Sequence, residues 1–147
     1  MNSRSNHDAI ILLADGFDES WLASCLIKLR TGNNHTAVVG LRPGRVAGKH
    51  GLAVHTDTHL SEIRHNRPKL LVIANGRLCA SRLMTDPRVF KLMEQTLEAN
   101  GRVAISLDSE IILKKYRLIQ AKDLQQFIWQ RHTAHEEYAQ HLADILA

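Results

Sequence analysis

The sequence predicts an α/β domain: a three-layer sandwich in which helices cover both faces of a mostly parallel central sheet. Three observations lead there. Residues 9–14, 69–74 and 102–106 are short, almost continuous apolar runs, each is followed directly by small or polar residues, and apolar positions at helical spacing lie between them. Unbroken apolar runs suit strands covered on both faces. Parallel neighbours need crossovers, which are almost always right-handed. At 147 residues and 44% hydrophobic, the chain can bury one full core with little left for a second. We therefore expect a loose polar tail over residues 1–7 and a single domain over 8–147.

The elements follow in order. The first strand covers residues 9–14 and is broken by Asp15-Gly16. Asp18 then caps a helix carrying Leu22, Cys25, Leu26 and Leu29, which stops at Gly32-Asn33-Asn34. Residues 35–41 form a second, β-branched strand closed by Pro43-Gly44, and an extended piece over 52–56 is expected to join it in an edge hairpin. The strand over 69–74 ends at Asn75-Gly76. Asp86-Pro87 opens a helix through Val89, Phe90, Leu92, Met93 and Leu97, and Gly101 ends it. After the strand over 102–106, Asp108-Ser109 is expected to cap a helix through Ile111, Ile112 and Leu113. From Asp123 onward, Leu124, Phe127, Ile128, Tyr138, Leu142 and Ile145 predict a long amphipathic C-terminal helix with a break near Thr133.

Composition removes several classes of function. The net charge of +4 comes from 19 basic and 15 acidic residues that are scattered, and aromatic residues are only 5%, so nucleic-acid binding is not expected. No apolar run approaches a membrane span or a secretory signal, which argues against membrane residence. Cys25 and Cys79 are far apart and lack disulfide or metal-clip spacing, as suits a reducing cytoplasm. His55, Asp57 and His59 alternate, and His132, His135 and Glu136 share a helical face, but solvated surface explains both groups better than a metal site. No metal or cofactor is expected.

In a parallel sheet, ligands collect beyond the carboxyl ends of the strands. Three loops should meet there, over residues 15–19, 75–79 and 106–109.

The run from Ala9 through Asp15-Gly-Phe-Asp-Glu-Ser-Trp21 resembles the opening strand and acidic loop of ThiJ/PfpI proteins, members of the class I glutamine amidotransferase-like superfamily. Gly51-Leu-Ala-Val-His-Thr-Asp57 is similar to the family's G-l-x-v-x-x-d segment, and Leu71-Val-Ile-Ala-Asn-Gly76 to its l-v-l-P-G-G turn. Gly101-Arg-Val-Ala-Ile-Ser106 is similar to the strand leading into the nucleophile elbow. Residues 112–118 and 135–145 resemble later helices, with the strands between them deleted or shortened. The resemblance implies a flavodoxin-like fold and a homodimer. It also implies a cysteine nucleophile at a strained strand-to-helix turn, with a partner glutamate in the acidic loop. Here the nucleophile position falls on Ser106 or Leu107, followed by Asp108-Ser109, and the glutamate position falls on Trp21. Gly76 matches the turn's second glycine, whose N–H can help build an oxyanion hole.

No residue is therefore assigned as catalytic. Cys79 and Ser106 are the candidates, within a pocket expected to include Asp18, Glu19, Trp21, Asn75, Gly76 and Asp108. Trp21 is expected to bring its ring toward the crevice and fill substrate volume. The leading expectation is a non-catalytic domain that associates with a second copy or another protein, or holds a small-molecule ligand. One alternative is a divergent hydrolase, glyoxalase or deglycase-like enzyme using Cys79 or Ser106. Another is a regulatory module of a transcription or stress-response system.

Overall fold

The computed structural model describes residues 7–32, 34–115, 125–130 and 134–147. The tail at 1–6, Asn33, Leu124, His132 and Thr133 lie outside the described residues. The elements are β1 (Ala9–Leu13), α1 (Glu19–Thr31), β2 (Thr36–Gly40), β3 (Arg45–Ala47), β4 (Ala53–His55) and β5 (Thr58–His59). They continue with β6 (Leu70–Ile73), α2 (Arg77–Leu83), α3 (Pro87–Glu98), β7 (Arg102–Ile105), α4 (Leu107–Lys115), β8 (Phe127–Trp129) and α5 (His135–Leu146).

Six strands form one sheet in the order β5-β2-β1-β6-β7-β8, and every pairing is parallel. β1 and β6 are wholly buried, as their continuous apolar sequence requires. From β1 the chain crosses to β2 on one side, and β6 and β7 build outward on the other. Crossovers of one hand running in opposite directions place their helices on opposite faces, which gives the predicted three-layer sandwich. α1 packs on α5, α2 on α4, and α3 on β6 and β7. The Asp18 carboxylate accepts the Trp21 N–H at 3.2 Å to cap α1. Asp86 accepts the Arg88 N–H at 2.9 Å, with Pro87 in the first turn of α3.

Three expectations need correction. Residues 127–129 are not helical: Phe127, Ile128 and Trp129 pair with Val103, Ala104 and Ile105 as strand β8, and α5 begins only at His135. An aromatic and β-branched triplet satisfies an open sheet edge, and three residues are too few to show a period of their own. This three-residue strand lies in the stretch whose strands were expected to be deleted or shortened. Second, β2 is an inner strand between β1 and β5, and the hairpin is instead β3 with β4, a separate antiparallel pair. Third, α4 starts at Leu107, since the Glu110 N–H already donates to the Ser106 carbonyl at 2.9 Å. Asp108 and Ser109 therefore lie in its first turn. His55, Asp57 and His59 do not share one continuous strand, in keeping with the surface reading, because β4 ends at His55 and β5 begins at Thr58. Asp57 instead accepts hydrogen bonds from Arg30 Nη2 and the Val38 N–H, each at 2.8 Å. Among the described residues no three His, Cys, Asp or Glu side chains group as metal ligands. No described helix is long and apolar enough to cross a membrane.

Candidate functional site

The strand order reverses between β1 and β6, and the loops leaving these two strands meet there, as the topology requires. The Asp18 N–H donates to the Asn75 carbonyl at 2.8 Å. Gly76 holds φ +128°, and a Cβ there would overlap the Gly16 carbonyl oxygen and lie 3.0 Å from the Phe17 Cα. Only glycine allows this approach. The third loop closes the group: Asp108 Oδ2 accepts the Gly76 N–H at 3.1 Å, and Asn75 Oδ1 lies 3.5 Å from the Asp108 N–H. The three predicted loops therefore do converge. The Gly76 N–H, matched by resemblance to an oxyanion-hole donor, already faces a carboxylate.

Neither candidate nucleophile is available. Ser106 is wholly buried, its hydroxyl donating to the Ala74 carbonyl at 3.4 Å with Ser109 Oγ 3.2 Å away. Among the described residues Asn100 is the only non-glycine with positive φ, so neither Ser106 nor Leu107 holds the strained backbone of an elbow nucleophile. Cys79 is wholly buried on α2, with Sγ 3.8 Å from the Ala74 carbonyl oxygen. Burial pushes its thiol up to about 12, and the charges of Asp108 and Asp15 add to the rise against the Ala14 backbone hydrogen bond. At neutral pH the thiol is held in its unreactive protonated form. Cys25 is likewise buried and raised to about 12.

The acidic loop is engaged in structure. Burial alone would raise the Asp18 carboxyl, but the Trp21 N–H, the Ser20 hydroxyl and the charges of Lys49 and His135 hold it below its usual value. Lys49 Nζ lies 3.6 Å and His135 Nε2 3.9 Å from Asp18 Oδ2. Glu19 reaches the tip of the β3–β4 hairpin, accepting the His50 N–H at 2.8 Å and the Leu52 N–H at 3.2 Å, with His50 Nδ1 at 3.0 Å. A Cβ on Gly48 would strike the Glu19 carboxylate, so a side chain there would displace Glu19 from the hairpin tip. Trp21 is wholly buried, its ring centroid 6.2 Å from that of Tyr138 on α5. Its indole N–H has no partner among the described residues.

Sequence reasoning brought Asp18, Glu19, Asn75, Gly76 and Asp108 to one end of the sheet, and the structure places them there. It did not anticipate Lys49 and His135 at Asp18. His135 had been read only with its helix neighbours, and only the folded packing of α5 on α1 brings it across.

The family model for the DJ-1/PfpI family matches residues 7–143. The chain belongs to that family, in agreement with its ThiJ/PfpI motifs. A curated relative, the deglycase TK1284 of Thermococcus kodakarensis, is 31% identical over 68 residues, a stretch covering 46% of this chain and 41% of that protein. The chain thus matches less than half the length of that relative. Among solved structures, oxidized DJ-1 of Toxoplasma gondii superposes with a TM-score of 0.84 at 14% identity, covering 95% of this chain and 90% of that one. A mutant of the DJ-1 superfamily protein STM1931 from Salmonella typhimurium gives a TM-score of 0.80 at 16% identity, with the same coverage. Drosophila melanogaster DJ-1beta gives 0.79 at 17% identity, covering 95% of this chain and 89% of its own. At these identities the structural likeness speaks for the fold.

Proposed function

We propose that this chain is a non-catalytic DJ-1/PfpI domain, a pseudoenzyme of the cytoplasm that works by association, first with a second copy of itself, or by holding a small ligand. The observation that supports this reading is the Asp108 carboxylate on the Gly76 N–H. An oxyanion hole stabilises negative charge that develops during reaction. Here the protein's own negative charge stands at that donor, beside a serine and a cysteine that are both wholly buried.

The competing reading is a deglycase-like enzyme, supported by the name of the Thermococcus relative. It requires an accessible, activated nucleophile. The two are separated by intact-mass analysis of the native chain after limiting treatment with a mild electrophile, with Cys79→Ser and Ser106→Ala as controls. The non-catalytic reading expects no fast stoichiometric adduct. Fast labelling lost in either control overturns it. Association is tested by sedimentation velocity across micromolar concentrations, where a monomer throughout counts against the dimer. A regulatory role through DNA expects salt-dependent retention on a DNA column.

A further inference from the structure

The carboxyl ends of β1 and β2 open onto a cavity that shares Asp15 with the loop group at Gly76 and is lined further from α2 and α3. Its volume is about 220 Å³, and its lining includes Asp15 and four arginines, Arg42, Arg45, Arg82 and Arg88. That volume lies below the roughly 300–1,000 Å³ of pockets for drug-sized molecules, so an occupant would be small.

The charges are not evenly answered. Arg88 is held by its neighbour, donating from Nε to Asp86 Oδ1 at 3.1 Å and from Nη2 to Asp86 Oδ2 at 2.8 Å. Arg42, Arg45 and Arg82 make no side-chain hydrogen bond or ion pair among the described residues. They come from three separate places: the loop after β2, the start of β3 and the last turn of α2. Asp15 Oδ1 accepts the Ala47 N–H at 3.0 Å, which ties the Arg45-bearing strand to the loop after β1. Its single negative charge leaves two of the three guanidinium charges unanswered.

Arg42 and Arg45, three positions apart, and Arg82, far along the chain, are exposed on their own elements yet line one concave space together, where like charges repel and an anion would relieve them. Guanidinium groups match the oxygens of phosphate in a forked geometry, and a phosphate monoester carries about −1.5 to −2 at neutral pH, which complements the unanswered charge.

We infer that this cavity binds the phosphate group of a small soluble phosphomonoester through Arg42, Arg45 and Arg82. The inference rests on the small-ligand form of the proposed function and gives it a ligand class, and it holds whether or not the Gly76 crevice is catalytic.

The test is isothermal titration calorimetry of the full chain with glycerol 3-phosphate and with inorganic phosphate at constant ionic strength. Saturable one-to-one binding is expected, weakened about tenfold or more by Arg45→Gln and again by Arg82→Gln. Arg102→Gln, an exposed position at the opposite end of the parallel sheet, should leave it unchanged. The melting temperature, read in parallel, should rise with glycerol 3-phosphate in the parent chain and in Arg102→Gln but not in the double variant Arg45→Gln/Arg82→Gln. Absence of saturable binding at millimolar ligand overturns the inference, as does an equal loss in Arg102→Gln, which would indicate diffuse charge. Two further arms use vesicles containing phosphatidic acid and a single-stranded oligonucleotide. Binding to either without binding of glycerol 3-phosphate overturns the assignment to a small soluble ligand.

Discussion

Asp108 on α4 presents a carboxylate oxygen to the Gly76 N–H at 3.1 Å, joining the starts of α4 and α2 across 32 positions. A buried donor deprived of its partner costs about 1–3 kcal/mol. Asp108→Ala should therefore lower stability by about 1–2 kcal/mol, and Asp108→Asn, which keeps an acceptor oxygen, by less. Gly76→Ala should cost more than about 2 kcal/mol, because it adds both left-handed backbone strain and overlap with Gly16. Urea denaturation measures all three. Asp108→Asn also removes a charge that raises the Cys79 thiol, yet burial remains, so alkylation of Cys79 in the native protein should stay slow.

Stability should fall on acidification. Asp18, Glu19 and Asp86 all titrate below their ordinary values of 3.8, 4.5 and 3.8. As pH drops through those values the unfolded chain takes up protons that the folded chain refuses, so the equilibrium moves toward unfolding. The contribution is complete above the unfolded values and is lost as pH falls through the lower folded ones. Denaturant midpoints should decline between about pH 5 and pH 3. The Asp18→Ala variant, less stable at neutral pH by about 1 kcal/mol through its lost cap, should decline less steeply.

Glu19 fastens the hairpin tip to α1 through the His50 and Leu52 amides. In Glu19→Ala those two amides should exchange with solvent faster, since the carboxylate that accepts both is gone. Amides of β1 and β6 should not change. Hydrogen exchange followed by NMR reads both. Uniform acceleration across the sheet would mean that Glu19 supports the whole fold rather than the hairpin.

Trp21→Ala should cost about 3–5 kcal/mol, the usual range for deleting a buried aromatic side chain. Trp21→Phe should cost less, because it keeps a ring against Tyr138 and removes an indole N–H that has no partner among the described residues. Thermal denaturation compares the two. If the ring also fills ligand volume, the alanine variant should gain affinity for small aromatic probes, and a variant that stays closed to them speaks against occlusion.

The central strands were legible because β1, β6 and β7 are buried on both faces and have almost no polar position to hide them. α3 was legible from Asp86-Pro87, where cap chemistry and a fixed φ act at adjacent residues. β8 was not, because three residues on a sheet edge are specified by their neighbour β7 rather than by their own pattern. The members of the site could be named from strand ends alone. Their pairings could not: whether Asp108 faces solvent or Gly76, or whether Arg42, Arg45 and Arg82 share a cavity, depends on distances set only after several elements have packed.

The packing of α5 on α1 joins Ser20 to His135, 115 positions further along the chain. On the ribosome the first helix therefore emerges long before the surface that covers Trp21 has been synthesised. Nascent chains would carry that ring uncovered through most of translation, and completion of the domain waits on residues beyond β8. Contacts of such long range slow folding and expose apolar surface meanwhile. Fragments ending before residue 134 should therefore be chaperone clients, retained by holdases where the full chain is released.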